Sequence, residues 1–146
     1  MSELPISGED SLIYGSGNAG GECDVKNSDP DFNKRIYDAS IALGLKPHYV
    51  INGKSTGGEL EIASCVDLEG HLGKDNRRYL LDFSRTFPPV FRSQETRQPF
   101  DTFWPFYHMF RGEFMSRLKQ YGFGSLSADG YSSFQSPSRP EEKSAN

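Results

Sequence analysis

The sequence predicts an α+β fold, in which an antiparallel sheet centred on a long hairpin is packed by two helices. Residues 66–72 alternate apolar and polar side chains. A turn follows, and residues 79–83 then form a second apolar stretch that is predicted to be the returning strand. Two further segments, residues 32–43 and 103–120, repeat apolar residues at helical spacing. With 146 residues, of which 35% are hydrophobic, the chain is expected to form one domain around one modest core.

The first half of the chain supplies a short strand and the clearest helix. Residues 1–10 are polar and aperiodic and are predicted to be a flexible lead, and a strand follows at residues 11–16. The segment Asn-Ser-Asp-Pro that ends at Pro30 provides a helix N-cap and a first-turn proline. Apolar residues then recur with the helical period until Gly44 ends the pattern.

The second half supplies most of the predicted sheet. A strand is expected at residues 46–51. A nearly continuous strand at residues 60–72 is expected to break or bulge near residues 63–65, because it exceeds the usual length. The double proline at residues 88–89 is expected to prevent further ladder pairing. Residues 135–146 lack apolar groups and are predicted to be a disordered tail, which leaves residues 11–134 as the folded domain.

The turn of the hairpin determines which side chains share a face. A two-residue turn at Asp75 and Asn76 would place Leu72 beside Tyr79, and a four-residue loop would leave the facing unchanged. The predicted apolar face consists of Leu68, Gly70, Leu72, Tyr79, Leu81 and Phe83. The predicted polar face consists of Asp67, Glu69, His71, Arg78 and Asp82.

The polar side of the hairpin is the principal candidate site, with six members: Asp67, Glu69, His71, Arg78, Asp82 and Arg85. The carboxylates of Asp67 and Glu69 and the imidazole of His71 are ligands that could hold a divalent metal. Salt bridges are the favoured alternative, because Arg78 shares this face and Arg85 is expected to form a buried ion pair with Asp82. No residue is assigned a catalytic role.

A glycine-rich loop is the second candidate site. Gly15, Gly17 and Gly20 fit the pattern G-x-G-x-x-G after a strand, which invites a dinucleotide or phosphate site. No helix is predicted directly after the loop, and no lysine follows at a useful spacing. Loop flexibility is therefore the favoured interpretation, and a kinase-like nucleotide site is the alternative.

Composition excludes several classes of function. The net charge of −4 and the pI of about 5.4 argue against a general nucleic-acid surface, and no DNA partner is expected. Cys23 and Cys65 are too few for a disulfide framework and are predicted to be free thiols, with Cys65 buried. His48 and His108 are expected to be isolated. No window approaches the roughly 20 apolar residues that span a bilayer, so no membrane insertion is expected.

Several short motifs occur in a fixed order along the chain. Residues 67–89 fit D-x-x-G-x-x-G-x-D-x-R-x-Y-x-L-D-x-x-R-x-x-P-P. Around them stand YGS at residues 14–16, DP at 29–30, LGLKPH at 43–48, FRGEF at 110–114 and a serine-rich segment at 126–134. In this order the motifs resemble the CLU domain, the central domain of the clustered mitochondria proteins. The chain departs from the family pattern at Asn76, Val90 and Gly112.

The resemblance implies a cytoplasmic protein with a role in mitochondrial distribution and in binding messenger RNAs for mitochondrial proteins. It also implies a trimmed CLU core, because family members carry an N-terminal region and tetratricopeptide repeats that this chain lacks. We expect a non-catalytic interaction module whose partner is a protein or a messenger RNA, with no cofactor and with its oligomeric state open. Two alternatives remain: an enzyme-like domain that binds a nucleotide or a metal, and a degenerate fragment that folds only with a partner.

Overall fold

The computed structural model describes residues 3–17, 24–52, 58–90 and 108–130. Within these ranges the strands are β1 (Leu12–Gly15), β2 (Lys26–Asn27), β3 (His48–Asn52), β4 (Gly58–Ile62), β5 (Glu69–Leu72) and β6 (Arg78–Leu81). The helices are α1 (Pro30–Ala42) and α2 (Gly112–Gln120), and short 3₁₀ turns occupy Gly8–Ser11 and Phe83–Arg85. Antiparallel sheets combined with two helices confirm the predicted α+β class.

Helix α1 forms where the sequence predicts it. The side chain of Asp29 accepts a hydrogen bond from the backbone N–H of Phe32 at 3.0 Å, which caps the helix as its sequence signature requires. The buried ring of Phe32 then packs on Gly70 in β5, where an added Cβ would lie only 2.3 Å from the ring. Phe32 also meets the ring of Tyr14 edge to face, with centroids 6.0 Å apart. Glycine at position 70 therefore allows α1 to seat on the sheet.

The strands form two sheets rather than one. The larger sheet has the order β2-β1-β5-β6, and β3 pairs with β4 in a separate antiparallel ribbon. The long strand predicted at residues 60–72 breaks after Ile62. The buried residues 63–66 then lead the chain from the ribbon towards the larger sheet. The prediction of a break is confirmed. The larger antiparallel sheet contains the predicted hairpin as β5 and β6, whereas residues 60–62 belong to the separate ribbon.

The hairpin has a different register from the predicted one. Gly73 donates to Arg77 at 2.8 Å and Asn76 donates to Gly73 at 2.9 Å, while Asn76 has a positive φ of 62°. This is a three-residue loop with a left-handed residue, so Leu72 pairs with Arg78 instead of Tyr79. A shift of one residue exchanges the two faces of a strand. His71 of β5 now shares its face with Tyr79 and is buried in contact with Ser11, and the predicted apolar residue Leu72 is 39% exposed.

The second helix is shorter than predicted. Residues 103–107 lie outside the described ranges, and the chain at 108–110 is extended: Val90 donates to His108 at 2.7 Å and Phe110 donates to Pro88 at 2.9 Å. These two hydrogen bonds lie on either side of Pro89. The prediction that the double proline prevents strand pairing is therefore wrong. Because residues 108–110 pair with this edge, α2 begins only at Gly112, which was predicted to lie in the middle of the helix.

The last described segment returns to the core. Leu126 forms a parallel bridge with Leu45, and Lys46 donates to the Leu126 carbonyl at 2.9 Å. This pairing brings residues 126–130 against the start of β3, where Ala128 and Asp129 are buried. The predicted tail at residues 135–146, together with Gly20 and Cys23, lies outside the described ranges. Neither described helix is long and apolar enough to cross a membrane.

Candidate functional site

A buried charge cluster is centred on Asp129, whose side chain is completely inaccessible. One carboxylate oxygen accepts hydrogen bonds from His48 Nε2 at 2.8 Å and from the backbone N–H of Val66 at 2.9 Å. The other oxygen accepts from Arg85 Nη2 at 3.3 Å. Arg85 also donates through Nε to Asp67, which lies at the edge of the cluster. The cluster thus joins β3, the entry to β5, the turn after β6 and the last described segment.

The cluster holds a buried guanidinium between two carboxylates. Burial alone would lower the pKa of Arg85, but its bond with Asp67 and the charges of Asp67 and Asp129 outweigh burial and raise it. Arg85 therefore remains charged although only 7% of its side chain is exposed. A buried charge is tolerated where partners of opposite charge satisfy it, and here they also fix the relative positions of four chain segments.

Sequence reasoning missed Asp129 and was wrong to expect His48 to be isolated. His48 is 1% exposed, and its second ring nitrogen faces the Lys46 carbonyl at 3.3 Å. Asp129 lies in a turn in which Ser127 Oγ accepts its backbone N–H at 3.2 Å. The local sequence Ser-Ala-Asp-Gly signals such a turn, but 81 residues separate Asp129 from His48, so no local pattern could have paired them.

A second polar cluster contains His71 of the predicted polar face. His71 Nδ1 lies 3.0 Å from Ser11 Oγ, and Nε2 lies 3.0 Å from a carboxylate oxygen of Glu69. These are the residue types of a hydrolase triad. Ser11 Oγ, however, already accepts from the Ser7 N–H at 3.0 Å and contacts the Gly8 carbonyl at 2.8 Å, while His71 is 3% exposed. The cluster therefore fastens the N-terminal 3₁₀ turn to β5.

The remaining members of the candidate polar face do not join these clusters. Arg78 Nε binds the helix-capping residue Asp29 at 2.8 Å, and this bond lowers the pKa of the Asp29 carboxyl. Asp82 is exposed, has a positive φ of 58° and accepts a hydrogen bond from Ser84 at 3.0 Å. The predicted ion pair of Arg85 with Asp82 is wrong. The 3₁₀ turn after Asp82 directs Arg85 into the core, where Asp67 and Asp129 bind it.

The three weak metal candidates are divided between the two clusters. Asp67 is engaged by Arg85, whereas Glu69 and His71 bind each other. Across the described ranges, no three His, Cys, Asp or Glu side chains form a group that could hold a metal ion.

Two of the three candidate glycines are described. Gly15 ends β1 with a φ of +78°, and a Cβ added there would lie 1.8 Å from the Leu68 carbonyl oxygen. Gly15 therefore permits the close approach of β1 to the segment before β5, which is a packing role. Gly17 is exposed beside Glu9 and Glu69, whose carboxylates would repel a phosphate.

Cys65 is a free, fully buried cysteine, as predicted. Burial, reinforced by the nearby Asp129 charge, raises the pKa of its thiol to about 12. The adjacent hydroxyls of Tyr14 and Ser64 form a buried hydrogen bond at 3.0 Å, and burial raises the pKa of Tyr14. Cys65 thus has the properties of a core residue and not those of a nucleophile.

A groove of about 520 Å³ lies beside α2. It is lined by Val90, Met109, Phe110, Arg111, Glu113, Phe114 and Arg117. Phe110 and Phe114 stack with ring centroids 4.9 Å apart, and Phe114 is 43% exposed. The polar groups of each internal cluster bind one another inside the domain. This groove, in contrast, presents aromatic and cationic groups to solvent.

Comparison with known proteins gives one consistent result. The family model described as "CLU: Clustered mitochondria" matches residues 1–92. The clustered mitochondria protein homolog of Xenopus tropicalis is 38% identical over 81 residues, which cover 56% of this chain and 6% of that protein. The human homolog is 37% identical over the same length, again 6% of its own chain. Protein clueless of Drosophila willistoni is 36% identical over 81 residues, or 5% of its length.

The matched region is thus a small part of each of these relatives, about one twentieth of their length. No solved structure matches this chain. The match includes the complete hairpin and the Pro88-Pro89 exit, the segment whose ordered motif is most specific.

Proposed function

Because the chain belongs to the clustered mitochondria family, we propose that it is a non-catalytic interaction domain. In this proposal the domain lies in the cytoplasm and contributes to the distribution of mitochondria. Its relatives are named for clustered mitochondria, which motivates the cellular role. The observation that carries the non-catalytic assignment is the saturation of the Asp129 cluster. All the polar groups that a catalytic centre would need there are bound to one another and buried.

The partner in this proposal is a protein or a messenger RNA that binds the exposed surface. The groove beside α2 supports this assignment, because it combines an exposed aromatic ring with two arginines. Such groups contact partners of either class: aromatic rings and arginine are enriched at protein interfaces, and aromatic rings stack on bases.

The cellular role is tested by removing the gene that encodes this chain and imaging the mitochondria. Loss is expected to collapse the mitochondrial network into clusters, and expression of the wild-type chain is expected to restore it. Unchanged mitochondria after gene loss would refute the role in distribution.

The non-catalytic assignment is tested in the same cells with Glu69→Gln and Asp82→Asn. Glutamine keeps an oxygen acceptor for His71 while removing the carboxylate, and Asp82 is exposed, so both chains are expected to fold and to restore the network. A Glu69→Gln chain that melts normally but fails to restore the network would contradict the structural role of Glu69 as the partner of His71. A rise in melting temperature with ATP and magnesium, or with another divalent metal, would contradict the non-catalytic assignment, because a ligand that binds the native state stabilises that state.

A further inference from the structure

We propose that the groove beside α2 docks an acidic, amphipathic segment of a partner protein, which inserts apolar side chains between Val90 and α2. This inference rests on the proposed function and names the surface and the chemical class of partner that would serve it.

The groove has an apolar floor. Val90, Met109 and the stacked rings of Phe110 and Phe114 line a space of about 520 Å³, within the range of specific binding pockets. Phe114 keeps 43% of its surface exposed. Exposed apolar patches of this kind on a folded domain mark interaction sites, since burying them gains free energy.

The described residues at the edge of the groove carry a net positive charge, although the chain as a whole carries −4. Arg111 and Arg117 are exposed, and neither binds a carboxylate within the described ranges. Among the described lining residues Glu113 is the acidic one, so cations outnumber anions by two to one in this part of the lining. This arrangement complements acidic side chains that flank an apolar anchor.

The same helix face continues beyond the groove. Phe114, Arg117 and Tyr121 follow one another at intervals of three and four residues, which places them in one stripe along α2 and its C-terminal end, and Phe110 stacks on Phe114 from the extended segment before the helix. Tyr121 is 75% exposed. Lys119 binds the Ile41 carbonyl at 3.1 Å, which attaches α2 to α1, so the stripe is presented on a supported helix. An extended stripe with an apolar floor suits a helical peptide.

The composition of the groove favours a peptide over a single-stranded RNA. The lining is mainly hydrocarbon, and its two arginines are opposed by Glu113. Tight RNA binding relies on several phosphate contacts by cations, and the described part of this edge supplies only two arginines. The apolar side chains of a peptide would fill the apolar floor of the groove more completely than the hydrated sugar-phosphate backbone of an RNA would.

The test uses a labelled helical peptide of about 16 residues, with leucine on one face and glutamate elsewhere, titrated against the full chain by fluorescence anisotropy. A matched peptide carries lysine in place of every glutamate. The glutamate peptide is expected to bind at least tenfold more tightly than the lysine peptide. Phe114→Ala is expected to weaken its binding about tenfold, because the exposed ring is the anchor of the floor.

Arg117→Glu supplies the charge test, and Arg35→Glu on the exposed side of α1 is its matched control. Arg117→Glu is expected to weaken the glutamate peptide about tenfold and to strengthen the lysine peptide, while Arg35→Glu changes neither by more than about twofold. Circular dichroism checks that each variant is folded. Because both arginines are exposed, a loss of binding with an intact spectrum reports on the surface.

Three binding results would overturn the inference, and a fourth result comes from the cells. The binding results are equal binding of the two peptides, equal effects of Arg117→Glu and Arg35→Glu, or saturable binding of an oligouridine that Phe114→Ala abolishes while neither peptide binds. The last outcome would assign the groove to RNA. If the Phe114→Ala chain fully restores the mitochondrial network in the gene-loss cells, the docking inference fails and the proposed function stands. If gene loss has no effect, the proposed function fails.

Discussion

Replacing Asp129 with alanine is expected to cause the largest loss of stability of any single change in the polar clusters. The substitution removes the acceptor shared by His48 and the Val66 N–H, and it leaves Arg85 with Asp67 as its remaining partner in the cluster. Breaking a buried ion pair by removing one partner costs about 3–5 kcal/mol. The free energy of unfolding of a whole domain is about 5–15 kcal/mol, so this loss is a large fraction of it.

The matched control is Asp38→Ala, which removes an aspartate from an ion pair on the exposed side of α1. Its loss is expected to be at most about 0.5 kcal/mol, because solvent screens exposed pairs. At about 3 °C per kcal/mol for a chain of this size, Asp129→Ala should lower the melting temperature by about 10–15 °C.

Urea unfolding followed by circular dichroism measures the free energy of unfolding of both variants. The reasoning is refuted if Asp129→Ala costs no more than Asp38→Ala while both variants unfold cooperatively. The wild-type titration also tests whether the isolated chain folds, because a fragment that needs a partner would show no cooperative transition.

Three further predictions follow from single contacts. Gly15→Ala is expected to destabilise the domain by at least about 1 kcal/mol in the same urea assay, because φ is +78° and the new Cβ would overlap the Leu68 carbonyl; a neutral effect would disprove this close approach. The thiol of Cys65, with a pKa raised to about 12 by burial, is expected to resist Ellman's reagent in the native state and to react in urea; rapid native reaction would contradict its burial. The Asp29 pKa is lowered chiefly by Arg78, so this carboxylate contributes stability above about pH 4 that is lost as the pH falls through its native pKa. An NMR titration should show the Asp29 pKa rising in Arg78→Ala, and an unchanged value would exclude Arg78 as the cause.

Local sequence signals predicted those elements whose interactions are themselves local. Asp29 and Pro30 predicted the start of α1, since the capping bond spans three residues. The alternation of residues 66–72 predicted the first strand of the hairpin, and its length predicted a break. The predicted facing failed at the turn, because a three-residue loop with Asn76 in the left-handed region shifts the register by one.

The candidate site shows the same division. The sequence identified Asp67 and Arg85 as an important part of the chain, but it paired Arg85 with Asp82, which is nearer in sequence and on the expected face. It gave Asp129 no role, because the contacts of Asp129 with Val66 and His48 span 63 and 81 residues. Long-range contacts depend on where the sheets place the chain, and no local period encodes that placement.

By itself, the sequence determined the α+β class, the capped helix, the hairpin and the family, because propensities, caps and ordered motifs depend on neighbouring residues. The tertiary structure alone decided that Asp67 and Arg85 belong to one internal cluster and Glu69 and His71 to another, and that the open groove lies beside α2. The physical reason is that a buried carboxylate must find donors wherever the fold brings them. Asp129 found three such donors on separate segments of the chain.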